Sequence, residues 1–223
     1  GSFTFLRILS GALVLVLLVA TKNKRKDINM RPNWVSSVLL FVYALSFSYA
    51  YLSLDTGAGA LILFGAVQLT LIGISWKSGR RLTTIELFGV ALSFAGLVYL
   101  VLPTLSTPSA FGASLMTLSG IAWGGYTLIG RGSKAPLNDT ATNFVAASLL
   151  IVLWMLIDTG ERHYSVKGVS YALMSGALAS GIGYAIWYHA LKGLTTLRAG
   201  VVQLLVPIIA SIGGVLFSNE DLS

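Results

Sequence analysis

Eight apolar stretches, each long enough to cross a lipid bilayer, fill most of this chain of 223 residues. A helix needs about 20 apolar residues to span the hydrocarbon core, and backbone exposed to lipid must satisfy its hydrogen bonds within its own segment. Transmembrane β-strands would alternate apolar and polar residues, whereas residues 13–19 are apolar without a break. The predicted spans are residues 3–20, 34–53, 57–76, 84–102, 110–130, 139–157, 168–190 and 197–217. The sequence therefore predicts an all-α fold, a polytopic bundle of transmembrane helices.

The composition excludes a water-soluble domain. Hydrophobic residues make up 55% of the chain and charged residues only 10%, whereas a soluble domain usually carries about 25% charged residues. The chain has no cysteine and two histidines, which gives no basis for thiolate chemistry or for a metal centre. We therefore expect no cofactor, no metal and no enzymatic activity, because an intramembrane enzyme would need a nucleophile–base pair or a metal cluster within the bilayer.

Most of the basic residues lie in every second gap between the predicted spans. These gaps hold Lys22, Lys24, Arg25, Lys26 and Arg31, then Lys77, Arg80 and Arg81, then Arg131 and Lys134, and finally Lys192 and Arg198. The positive-inside rule places these gaps in the cytoplasm, so both ends of the sequence are expected outside. Because the net charge of +7 comes largely from these loops, nucleic-acid binding is not expected. Residues 138–140 match a glycosylation sequon, but their predicted cytoplasmic position favours an N-cap of the sixth helix.

Two short sequence matches recur at the same offset of 135 positions. Tyr49-Ala50 corresponds to Tyr184-Ala185, and residues 65–69 correspond to residues 200–204, with a Gly-x-Val-Gln-Leu pattern in both. The second and third spans therefore resemble the seventh and eighth, and the predicted topology gives the two pairs opposite orientations. Inverted repeats of this kind are typical of secondary transporters, whose substrate site lies at the repeat interface near the membrane midplane.

Three further stretches extend the pattern, namely residues 119–126, residues 184–191 leading into residues 202–207, and Asn219-Glu220. With these motifs the chain resembles the EamA-type family of the drug/metabolite transporter superfamily. The resemblance implies ten helices in two inverted halves of five, of which this sequence would contain helices 2–9 and lack the first and the last. It implies that residues 1–102 form the first repeat and residues 103–223 the second. It also implies export of small metabolites such as amino acids by alternating access.

Polar and aromatic side chains within the spans are the candidates for a substrate cavity, because burying them requires partners or water. They are Ser46, Tyr49, Gln68, Trp123, Tyr126, Ser180, Tyr184, Trp187, Tyr188 and Gln203. The alternatives are aromatic belts at the membrane interface, hydrogen bonds between helices, and helix packing at small-residue pairs such as Gly120 and Gly124. Pro207 is expected to kink the last span, and this kink is either a gating hinge or a static bend.

The distribution of charged residues within the spans restricts the classes of solute and of transport mechanism that are expected. No acidic residue lies deep in a span, so facilitated or exchange transport is at least as plausible as proton antiport. Arg7 is interpreted as lying near the start of the first span, which leaves no deep Lys or Arg and favours a neutral or zwitterionic solute over a polyanion. A small-molecule solute and the lipid bilayer are the expected partners, and the sequence leaves the oligomeric state open. A multidrug exporter and a non-transporting membrane scaffold remain as alternatives.

Overall fold

The computed structural model describes residues 1–22, 31–79, 83–101, 109–158 and 165–209. Helices occupy all eight predicted spans, and no strand occurs in these described ranges. They are α1 (Ser2–Lys22), α2 (Trp34–Ala50), α3 (Thr56–Lys77), α4 (Thr84–Val101), α5 (Ala110–Arg131), α6 (Pro136–Ile157), α7 (Val166–Met174), a π-helical segment (Ser175–Ile182), α8 (Gly183–Leu191) and α9 (Thr196–Gln203). The all-α prediction is therefore confirmed. Residues 102 and 210–217 of the predicted spans lie outside the described residues.

Two helix boundaries differ from the prediction by three residues, because local hydrogen bonds override the apolar pattern. The second span ends at Ala50 rather than at residue 53, where the Ser53 N–H donates to the Ala50 carbonyl in a turn (3.1 Å). The sixth helix begins at Pro136, so residues 138–140 lie in its first turn and the N-cap interpretation is wrong. Proline suits the first helical position because its missing N–H would have no partner within the helix.

The seventh span is one continuous helix, Val166–Leu191, whose middle is π-helical. Ser165 caps its start by accepting a hydrogen bond from the Gly168 N–H (3.0 Å). The π segment contains Gly176 and Gly181, and glycine tolerates the wider turn because it has no side chain to constrain the backbone. Such segments are rare and frequently occur at functional sites. The apolar pattern of the sequence does not predict this π segment, because that pattern assumes the 3.6-residue turn of a regular α-helix.

Large apolar side chains cover the outside of the helices. On α1, Leu13 and Leu17 are 59% and 64% exposed while Ile8 and Leu15 on the other face are buried, so both faces of this helix are apolar. Four helical stretches of the described chain are long and apolar enough to span a membrane by themselves. They are Ser2–Lys22, Thr56–Lys77, Pro136–Ile157 and Val166–Leu191. Helices that are hydrophobic on all sides belong in a lipid environment.

The chain forms two compact units. The first unit comprises Gly1–Ser48 and Gly125–Gly193, and it packs α1 against α6, α7 and the π segment. The second unit comprises Tyr49–Gly124 and the chain from Leu194 onward, and it packs α3 against α4 and α9. Each unit draws residues from both predicted repeats. A duplication is a relation between sequences and not between compact units, so the repeat boundaries at residues 1–102 and 103–223 stay a prediction.

Glycines allow close helix contacts in both units. In the second unit, a Cβ added at Gly120 would overlap the Leu63 carbonyl and the Ala66 side chain of α3, and Gly124 faces Thr70 one turn later. Helix packing is therefore the structural role of the Gly120–Gly124 pair.

Candidate functional site

Gln203 and Trp123 form a hydrogen-bonded pair in the second unit. The hydroxyl of Thr195 caps α9 by accepting from the Arg198 N–H (3.3 Å), and Gln203 lies two turns further along that helix. The Trp123 indole N–H donates to Oε1 of Gln203, and Nε2 of Gln203 donates to the Ala199 carbonyl (3.3 Å). Gln203 is buried, so this arrangement satisfies an amide that could not reach water.

Gln68 is buried on α3, the helix that packs against α9. Its side-chain oxygen lies against Gly200, where an added Cβ would overlap it. Neither amide atom of Gln68 has a hydrogen-bond partner among the described residues. A buried polar group left without a partner costs about 1–3 kcal/mol, so the amide of Gln68 keeps unused hydrogen-bonding capacity in the interior of this unit.

The matching motifs around these glutamines are used differently. The amide of Gln68 lies against Gly200, whereas the corresponding Gly65 faces the ring of Phe94 on α4, 3.3 Å from where an added Cβ would lie. The second unit therefore brings the candidates Gln68, Trp123 and Gln203 onto packed helices, with one amide satisfied and the other not. The remaining candidate of this unit, Tyr49, is partly buried at the end of α2.

The first unit holds an aromatic cluster on α5, α6 and α8. Tyr126 and Tyr188 meet edge to face with their ring centroids 5.3 Å apart, and Tyr184 meets Phe144 in the same manner at 5.2 Å. Tyr126 and Tyr188 are almost completely buried, and the Tyr188 ring lies directly against Gly130. Tyr126 and Tyr188 are therefore packed in the interior rather than in an interfacial belt, and Tyr184 is partly buried beside them.

Three further predicted site residues lie in the first unit. The hydroxyl of Ser46 donates to the Val42 carbonyl of its own helix (2.6 Å), which takes its proton out of any cavity. The indole N–H of Trp187 is buried and has no hydrogen-bond partner among the described residues. Ser180 lies in the π segment, fully buried.

Arg7 lies in the interior of the first unit, so the interpretation that no basic residue lies deep in a span is wrong. Only 9% of its surface is exposed, and its Nε donates to the Ser180 hydroxyl (3.0 Å) close to the middle of the Val166–Leu191 span. Its Nη2 lies 3.5 Å from the hydroxyl of Tyr43, close to the middle of α2. Arg7 lies near the start of α1, but the neighbouring helices extend beyond that end, so its position along α1 does not give its depth within the bundle.

The other neighbours of the Arg7 guanidinium are aromatic. Its central carbon lies 5.9 Å from the centroid of the Tyr43 ring and 5.7 Å from that of Phe47, and the phenol of Tyr184 lies beside it. No carboxylate faces the guanidinium within the described ranges of the chain. A sequence signal existed, because Thr4, Arg7 and Gly11 fall on the same buried face of α1 at helical spacing.

A polar network that the sequence did not predict joins the first half of α6 to the start of α2. Oδ1 of Asn143 accepts from the Asn33 N–H (3.1 Å) and from the Ser37 hydroxyl (3.4 Å), and these bonds join α6 to the start of α2. A small pocket of about 10 Å³, room for one water, adjoins Asn143, Asp139 and the Tyr126–Tyr188 pair.

A larger cavity of about 810 Å³ lies within the first unit. It is an open groove lined by the end of α1, the start of α6 and α8, and Lys22, His189 and Lys192 lie along it at the helix ends. None of the ten predicted site residues lines this cavity. The described residues contain no group of three or more His, Asp or Glu side chains suited to a metal.

Comparisons with known proteins place the chain among membrane transporters. The EamA-like transporter family matches residues 110–223. An uncharacterized protein of Pseudomonas aeruginosa is 48% identical, over all of this chain and 77% of its own length. An uncharacterized transporter of Archaeoglobus fulgidus is 28% identical, over 82% of this chain and 66% of its own length. One crystal structure has the same fold, with a TM-score of 0.83 at 18% identity, over 99% of this chain and 80% of its own.

Proposed function

Because this chain belongs to the EamA-like transporter family, we propose that it is a secondary transporter that exports small metabolites such as amino acids. The match confirms the resemblance to the EamA-type family that the motifs indicated. It also confirms the prediction that the chain is a multi-pass membrane transporter. Transporters of this family are generally not enzymes. The solute, the direction and the mechanism are the proposed part.

One observation carries the proposal, the unsatisfied amide of Gln68 on a helix that packs against the Gln203 helix. Unsatisfied polar groups in a membrane interior are costly, and they are typical of places that bind solute or water during a transport cycle. An amide offers one acceptor and two donors, which suits the uncharged polar groups or the ammonium group of a small metabolite. The indole of Trp123, which bonds to Gln203 in the same unit, would offer an apolar surface for the solute's body.

Alternating access is proposed from the predicted inverted repeat and from two irregular helices, the Val166–Leu191 span with its π segment and the helix that contains α9. The helix that contains α9 is interrupted at Leu204, whose N–H bonds to the Val201 carbonyl (3.1 Å), and it resumes to Ile209. Pro207 lies three residues beyond the interruption, and its ring excludes a regular bond to the Gln203 carbonyl. This interruption supports Pro207 as a hinge in the proposed mechanism.

The proposed location is the inner membrane of a bacterium, with the basic loops in the cytoplasm. The alternation of basic and non-basic gaps supports this orientation. A multidrug exporter is the second candidate within transport. The family match favours either of these over a non-transporting membrane scaffold.

The test is solute transport by the full-length protein in proteoliposomes. Radiolabelled amino acids and other small metabolites would be loaded inside, and their counterflow would be measured with and without a pH gradient. Saturable transport of at least one metabolite, inhibited by its unlabelled form, is expected. Transport of lipophilic drugs alone would support the multidrug alternative, and the absence of any flux would reject the proposal.

A further inference from the structure

We propose that Arg7 is the anchor for a carboxylate of the transported solute. This inference rests on the proposed transport function and specifies its substrate class. The solute would carry one carboxylate and an apolar or aromatic body, as neutral amino acids and aromatic acids do. The site consists of Arg7, Tyr43, Phe47, Ser180 and Tyr184, all within the first unit.

The first argument is charge. A guanidinium stays protonated in any protein environment, so Arg7 brings a permanent positive charge into the interior. The neighbours that the described structure gives it are neutral, namely three hydroxyls and three aromatic rings, from Ser180, Tyr43, Phe47 and Tyr184. Hydroxyl dipoles and ring faces stabilise a buried cation only in part, and buried charges are normally paired with an opposite charge. Binding an anion would supply that opposite charge.

The second argument is the geometry of the hydrogen bonds. A guanidinium has five N–H donors, and the Ser180 and Tyr43 hydroxyls occupy one on Nε and one on Nη2. The Tyr184 hydroxyl is a third hydrogen-bonding neighbour, and three hydroxyls do not occupy all five donors, so the guanidinium keeps N–H groups for a carboxylate, which arginine holds with short, charge-assisted bonds. Because the Ser180 hydroxyl accepts from Arg7, its own proton is able to donate to the same anion.

The third argument is that the site fits one negative charge and a flat or apolar body. Arg7 is the single cation that the described structure places in this cluster, so a dianion would retain an uncompensated charge. The rings of Phe47 and Tyr184 border the guanidinium and would receive an apolar group next to the carboxylate. The same positive charge would repel lipophilic cations, which disfavours a cationic multidrug substrate.

The experiment compares solutes that differ only in the carboxylate, so that the protein's requirement for an anion is measured directly. Full-length wild-type protein in proteoliposomes would be offered phenylalanine against phenylalaninamide, leucine against leucinamide, and phenylacetate against phenylacetamide. Thermal unfolding in detergent would be followed with the same pairs, and with chloride or an anionic phospholipid alone. We expect transport and thermal stabilisation by at least one carboxylate and about a tenfold or greater loss for its amide.

Arg7→Gln, Arg7→Lys and the control Arg198→Gln would then be tested; Arg198 is an exposed arginine at the start of α9. In Arg7→Gln the carboxylate and the amide should become equivalent within about twofold. Arg7→Lys should keep the preference more weakly, because it retains the charge without the planar fork, and Arg198→Gln should behave as wild type. If Arg7→Gln fails to fold, Ser180→Ala replaces it, with a smaller loss of preference.

Each result decides one question. Wild-type transport without a preference for carboxylates, or a preference that survives in Arg7→Gln, overturns the role of Arg7 while transport itself stands. Stabilisation by chloride or lipid to the same extent as by carboxylates also overturns it. If no solute is transported, the proposed function fails. In that case an Arg7-dependent thermal shift with carboxylates alone still supports the anion site, and its absence rejects it.

Discussion

Replacing Gly176 with alanine is expected to push α1 away from the π segment. A Cβ at this position would overlap the Ser10 side-chain oxygen and the backbone carbonyl of Arg7. The Ser10 hydroxyl is able to rotate, but the carbonyl belongs to the backbone of α1, so the helix must shift as a body. Because Ser180 lies one turn beyond Gly176, the shift would also lengthen the bond from Arg7 Nε to the Ser180 hydroxyl.

The expected magnitude follows from two opposing terms. Alanine is favoured over glycine in a helix by about 1 kcal/mol, and overpacking a tight contact costs about 1–3 kcal/mol. A collision with backbone belongs at the upper end of that range, so Gly176→Ala should lower the free energy of unfolding by about 2 kcal/mol. Gly183 in the same span is the matched control, because its added Cβ meets nothing closer than the Leu178 carbonyl at 3.5 Å. Gly183→Ala should raise the free energy of unfolding by up to about 1 kcal/mol.

Gly181→Ala should fall between these two variants. Its added Cβ approaches the Val14 side chain at 2.9 Å, and a side chain yields more readily than a helix backbone. Unfolding would be followed by tryptophan fluorescence in mixed detergent micelles with increasing SDS, using the five tryptophans of the chain. Equal stability of Gly176→Ala and Gly183→Ala would refute the close contact between α1 and the π segment.

Three further predictions concern transport and topology. Gln203→Leu should abolish most transport while lowering the free energy of unfolding by only about 1 kcal/mol, the value of a membrane-buried hydrogen bond. Wild-type transport rates in proteoliposomes, or a loss of transport fully explained by unfolded protein, would contradict a binding role. Pro207→Ala should raise the unfolding temperature, because the Gln203 carbonyl regains a donor, and should slow turnover; an unchanged turnover rate would contradict the hinge. Single cysteines at Lys22 and Asp55, introduced into a chain that has no cysteine, should react with a membrane-impermeant maleimide from opposite sides of the membrane; labelling from one side would contradict the topology.

The positions of the helices were predictable because apolar length and loop charge are properties of the local sequence. All eight spans were located, and the boundaries that failed were set by single turns, as at Ser53 and at Pro136. The apolar run of the second span continues beyond the end of its helix at Ala50. The sixth helix begins at Pro136, before its apolar run starts. Boundaries of this kind depend on cap geometry, which composition does not encode.

The contacts within the candidate site were predictable only in part. The glutamines were found through the repeat, but the bond from Trp123 to Gln203 depends on which faces of two distant helices meet. Arg7 was misjudged for a related reason, since its depth is set by the vertical offset between α1 and the Val166–Leu191 span. Residues along one helix share a known geometry, whereas offsets between helices arise from packing at positions such as Gly176.

The π segment changes the direction in which the following residues point. A helix that bonds each residue to the fifth one along contains more residues per turn than its neighbours, so α8 is rotated about its axis relative to a uniform continuation of α7. Deleting one residue between Ser175 and Ile182 would restore the regular turn and swing the aromatic face of α8 around the helix. Related sequences that lack the wide turn should therefore align here with a one-residue gap, which makes this segment a natural point of divergence between transporters of otherwise similar design.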